Sequence, residues 1–124
     1  MFWDRDKPRR TRKSGARANR IQELANKLYN EGKFGDLESE LLKFDPADLN
    51  DNEKESWYHA YGVVSFRRHD RETAFERFKE GVKQCPRSGN LSFSLGQEYE
   101  LRGDVENMLA CFDKALFPSV PAQY

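Results

Sequence analysis

Tyr58-His-Ala-Tyr61-Gly62-Val-Val-Ser65 and Ser92-Phe-Ser-Leu95-Gly96-Gln-Glu-Tyr99 stand 34 residues apart and share one outline, with a glycine at the same place in each. The same step carries Phe78 onto Phe112. A third copy lies upstream in Ile21, Leu24, Ala25, Leu28, Gly32, Phe34, Leu37, Leu41 and Phe44, at a step of 37 residues. The three extra residues fall in Asp45-Pro-Ala-Asp-Leu-Asn-Asp-Asn52, a run of turn formers that a loop absorbs. Self-similarity at such a period is the mark of a repeat architecture.

Inside each copy the apolar residues recur at three and four: Tyr58, Tyr61, Gly62, Ser65 and Phe66, then Ala74, Phe75, Phe78 and Val82. That is helical spacing, and period-two alternation is absent. The pattern predicts helices over 16–31, 35–44, 53–68, 71–84, 89–102 and 104–116. The breaks carry helix-end chemistry. Asp70 and Asp104 stand where an N-cap is needed, and Gly103 supplies a C-terminal glycine. Cys85-Pro-Arg-Ser88 ends one helix and caps the next, and Asn52 with Glu55 resembles a capping box.

The chain has 124 residues, 37% apolar and 34% charged, which suits a thin, all-helical fold whose helices each keep a wet face. Its formal charge of zero hides a split. Residues 1 to 20 hold eight Lys or Arg against Asp4 and Asp6, for +6; the remaining 13 bases face 19 acids, for −6. Two cysteines, Cys85 and Cys111, are too few for a disulfide framework, so a reducing, cytoplasmic setting is expected. No run of about 18 apolar residues is present, and no membrane span is expected.

On Tyr58, Tyr61-Gly62, Ala74, Phe78 and Pro86, and on Leu95-Gly96, Tyr99, Gly103, Phe112 and Ala115, the chain resembles the tetratricopeptide family. The resemblance implies an all-α, right-handed superhelix of three antiparallel helix-turn-helix hairpins. It spans 17–121, in units of about 18–52, 55–88 and 89–121, between a basic arm at 1–16 and a tail at 122–124. Gly62 and Gly96 would stand where the two helices of a hairpin cross, with Phe78 and Phe112 filling the space between hairpins. Ser92, Gly81 and Met108 depart from the family pattern.

In that architecture the first helix of each hairpin lines a concave face on which extended ligands lie. The repeat phase puts there Asn19, Gln22, Asn26, Tyr29 and Asn30; then Ser56, His59, Val63, Phe66 and Arg67; then Asn90, Phe93, Gln97, Glu100 and Leu101. Amides bond a ligand backbone in either direction, and the aromatics offer apolar seats, so the expected partner is a protein or peptide segment. Phe66 and Phe93 have a second reading as ordinary packing within or between hairpins. The family's carboxylate clamp would fall on Gln22, Asn26, Ala60, Asn90 and Ser94, which include no cation. Chaperone-tail binding of that kind is not expected.

Nothing points to catalysis. His59 and His69 are the only histidines, with no metal-ligand spacing to cysteine, and neither a phosphate loop nor a nucleophile elbow occurs. No enzyme activity, metal or cofactor is expected. The arm, Arg5, Lys7, Arg9, Arg10, Arg12, Lys13, Arg17 and Arg20, reads equally as an electrostatic binder of nucleic acid or an anionic surface and as a solubilising leader. After Phe117 only a short Pro-containing tail follows. Phe112, Leu116, Phe117, Val120 and Tyr124 are therefore expected to form an apolar end that drives homo-oligomer assembly or meets a further segment.

Overall fold

The computed structural model describes residues 19–116, and over them the chain is all helix, with no strand. Six α-helices run α1 (Arg20–Asn30), α2 (Phe34–Leu41), α3 (Asp51–Arg67), α4 (Arg71–Gln84), α5 (Gly89–Leu101) and α6 (Val105–Leu116). They pair as α1–α2, α3–α4 and α5–α6, and the pairs stack, α3 against α1 and α2 and α5 against α3 and α4.

The three turns inside the pairs are one structure written three times. Each first helix ends in a left-handed residue: Gly32 at φ 73°, His69 at 67° and Gly103 at 77°. The N–H of the next residue reaches five residues back, Lys33 to Leu28 O, Asp70 to Ser65 O and Asp104 to Tyr99 O. The left-handed residue itself donates three back, to Tyr29, Phe66 and Glu100. This is the double hydrogen bond of a Schellman ending, and it satisfies carbonyls that the helix leaves open. The steps between the turns are 37 and 34 residues, the register read from the sequence. Glycine takes this backbone freely, whereas His69 takes it against its own Cβ.

N-caps set the starts. Asn19 accepts from Gln22 N, Asp70 from Thr73 N, Ser88 from Leu91 N and Asp104 from Asn107 N. The capping box belongs to Asn50 and Glu53, not to Asn52 and Glu55, because α3 begins two residues earlier than its apolar pattern does. Asn52 and Glu55 turn to neighbours instead: the Asn52 carbonyl accepts from Asn19, and the Glu55 carboxylate from the Ser88 hydroxyl. The second helix stops at Leu41, three residues short of expectation. Trp57 Nε1 takes the Leu41 carbonyl at 2.8 Å, and Asp45 then caps a short 3-10 turn at Pro46–Asp48. Both are tertiary or proline effects that periodicity does not register.

Ile21, Leu37, Leu41, Val64 and Leu91 are fully buried and join Trp57, Tyr61, Ala74, Phe78 and Leu95 in one core. Its repeated unit is a ring on a glycine. A Cβ built on Gly62 would lie 2.3 Å from the Phe78 ring, and one on Gly96 would lie 2.5 Å from the Phe112 ring. The glycines therefore admit a phenylalanine from the second helix of the same hairpin. The rings lock each hairpin internally, and Phe78 also borders α5 of the next hairpin, beside Ser94 and Gln97. The helix α6 contributes no buried residue.

Candidate functional site

The helices α1, α3 and α5 stand side by side, and their shared face is cleft. One cleft of about 740 Å³ is lined by Asn19, Gln22, Ser56, His59, Asn90, Phe93 and Gln97, joined by Asn52, Glu55 and Ser94. A second, of about 420 Å³, is lined by Tyr29, Val63, Phe66, Arg67, Gln97, Glu100 and Leu101, together with Phe78, Ser94 and Glu98. Ser94 and Gln97 belong to both, so the amide-rich cleft runs into the aromatic one.

Most of the residues read from the repeat phase thus meet on one face, but not all in the expected state. Asn26 and Asn30 line neither cleft; the Asn26 carbonyl oxygen is buried without a hydrogen bond. Tyr29 is a core residue that shows the cleft one edge. Its hydroxyl accepts from Arg67 Nε at 2.8 Å, and the Arg67 guanidinium lies over its ring. Arg67 is therefore tied to the Tyr29 side of the cleft by both a hydrogen bond and a ring contact. Phe66 and Phe93 are about half exposed, each braced from one side, Phe66 by Arg71 and Phe93 by the Phe112 ring at 5.4 Å. They offer open apolar surface, so packing alone does not account for them.

His59 is buried beside the Phe78 ring on the cleft floor. Burial disfavours the imidazolium and pushes its pKa down to about 4, so the ring is neutral at pH 7. Glu98 is 4% exposed, and its Oε1 has no hydrogen-bond partner. Burial raises its pKa, opposed by the charges of Arg71 and Arg102. Ser94 and Glu98 were not among the expected site residues. The register held a signal for Glu98, since it falls 34 residues after Val64, a fully buried position.

The cationic arm is reached by the described residues only at its last member. Arg20 belongs to α1, where its guanidinium pairs with Glu53 at 2.9 Å and lies over Phe44. Its charge is thus paired within the fold while its side chain stays exposed; Arg9, Arg10, Arg12, Lys13 and Arg17 lie outside the described residues. Of the apolar end, Phe112 is half-buried over Gly96 and is not a free surface, whereas Leu116 is 72% exposed. Phe117, Val120 and Tyr124 lie outside the described residues.

Among the described residues, no cluster of three or more His, Cys, Asp or Glu is placed to hold a metal ion, and no helix is long and apolar enough to cross a membrane. Cys85 and Cys111 are half-buried free thiols, and burial raises the pKa of both, away from nucleophilic thiolate. No protein-family model matches the chain, and no curated protein matches its sequence.

Proposed function

We propose that the chain is a tetratricopeptide-like adaptor, its three hairpins wound as a right-handed superhelix, that holds an extended protein segment along the face of α1, α3 and α5. The observation that carries this reading is the continuity of the two clefts through Ser94 and Gln97. A peptide laid along them would find side-chain amides of either hydrogen-bonding sense first, then the half-exposed ring of Phe66. The Arg67–Tyr29 pair supports it by holding one wall rigid, which lowers the ordering cost of binding. Half-buried thiols without a disulfide accord with action in a reducing compartment such as the cytoplasm.

The test is selection of random peptides displayed on a surface against the purified chain. A recurring peptide pattern should emerge. The double variant Gln97→Arg with Phe66→Asp should lose those peptides while its melting curve stays in place, both side chains being partly or fully exposed. Failure to enrich any pattern, or equal binding by the variant, overturns the reading.

A further inference from the structure

We infer that the outward face of α6 is a docking site for an amphipathic helix of a partner protein. That helix presents bulky apolar residues at four-residue spacing and carries an arginine or lysine just past its C-terminal end. The face lies on the last helix and meets the groove only at its Leu116 end, beside Asn90 and Phe93, and the preceding hairpins specify what covers it.

Phe75 and Val82 of α4 stand 34 residues before Leu109 and Leu116 of α6. On α4 they are half-buried under α5. The Tyr99 ring meets Phe75 edge-on at 5.4 Å, and Leu91 comes close enough to Gly81 that a Cβ there would lie 3.1 Å from it. Arg102, the residue that ends α5, lays its guanidinium 3.8 Å over Phe75 and pairs with Glu72 at 3.2 Å. Arg68 does the same kind of work at the end of α3, pairing with Glu38 of α2. A terminal cation on an acid therefore joins both stacked interfaces.

On α6 the same receiving surface stands open. Val105, Leu109 and Leu116 are more than half exposed on one stripe. Glu106, 34 residues after Glu72, makes no ion pair among the described residues. Among the described residues this surface has the acid and the apolar stripe but no helix with its cation.

A second copy of this chain fits poorly. Stacked head to tail, its α1 would bring Glu31 where Arg68 and Arg102 stand in the register, setting carboxylate against Glu106. It would also offer Arg20 and Lys27 in place of the buried Trp57 and Val64. Two α6 helices laid antiparallel would oppose Glu106 and Asp113 of one to the same acids of the other. Charge complementarity therefore favours a partner's helix with a basic end over a second copy.

The probe is a labelled synthetic peptide with the sequence of residues 88–103, stapled into a helix, added to the full chain. It should bind saturably. Leu109→Asp should weaken it about tenfold or more, a loss of at least one order in Kd. Glu106→Arg should weaken it about two- to fivefold, the range of one exposed ion pair, and a peptide with Arg102→Glu should recover binding to that variant. Melting curves of both variants should match the parent, and Gln97→Arg in the groove should leave peptide binding unchanged. Absence of saturable binding, indifference to both α6 substitutions, or loss with Gln97→Arg overturns the inference. So does a dimer in sedimentation that Leu109→Asp disperses, since the occupant is then a second copy.

Discussion

The helices α4 and α6 carry the same pattern 34 residues apart and end in different surroundings. Each sets a phenylalanine on a glycine of its own partner helix, Phe78 on Gly62 and Phe112 on Gly96. Toward the next hairpin they part: Phe75 lies beneath Tyr99 and Arg102, whereas Leu109 is 57% exposed. Packing inside a hairpin is thus written into the repeat itself, while packing between hairpins depends on a neighbour. Burial is not a property of a residue in such an array but of its position in the stack.

The largest expected effect tests the shared half of the comparison. Phe78→Ala should cost about 3–5 kcal/mol, as for a fully buried ring. Phe112→Ala should cost clearly less, about 1–3 kcal/mol, because its ring already meets solvent. Denaturant unfolding of the two variants, with m-values compared, measures the gap; equal losses would show that α6 is covered in solution.

A smaller effect tests the half that differs. Phe75→Ser should lower stability by about 1–3 kcal/mol by removing the Tyr99 and Arg102 contacts. Leu109→Ser should stay within about 0.5 kcal/mol, the usual range for an exposed side chain. Thermal melts decide it.

The smallest concerns His59 and its register counterpart Phe93, one buried on the cleft floor and the other half exposed. Because the His59 pKa falls from 6.5 to about 4 on folding, the unfolded chain binds more protons between those values. Stability should therefore hold above pH 6.5 and decline as pH falls toward 4, by about 1–2 kcal/mol at pH 5. Glu98, with its raised pKa, works in the opposite sense, gaining its proton earlier in the folded chain. Subtracting the pH profile of His59→Phe from that of the parent isolates the histidine; coincident profiles would place His59 in open water.

The number of hairpins, their register and the repeated glycine and phenylalanine positions were legible from the repeat, whereas the seating of each ring on its glycine was not. Six helices follow from period and caps, and the 37- and 34-residue steps reappear in the left-handed turns at Gly32, His69 and Gly103. The groove was legible as a set of phases, since helical register alone assigns Asn19, Gln22, His59, Asn90 and Gln97 to one face. What the phases could not carry is depth. Asn26 and Tyr29 share that face in projection, but the packing of α2 and α3 on α1 draws Tyr29 into the core and leaves Asn26 half-buried, with its side-chain oxygen covered.

The amino-acid sequence by itself determined the helices, their pairing and the repeat, because hydrogen bonds and apolar spacing within about 35 residues suffice for them. Only the tertiary structure decided where α2 stops, against the Trp57 indole. It also decided that Arg20 serves Glu53 and that Glu98 is buried at a position Val64 fills one repeat earlier. Each of these depends on a side chain more than 15 residues away, and the strength of such a contact is set by how much water the stacked neighbour excludes.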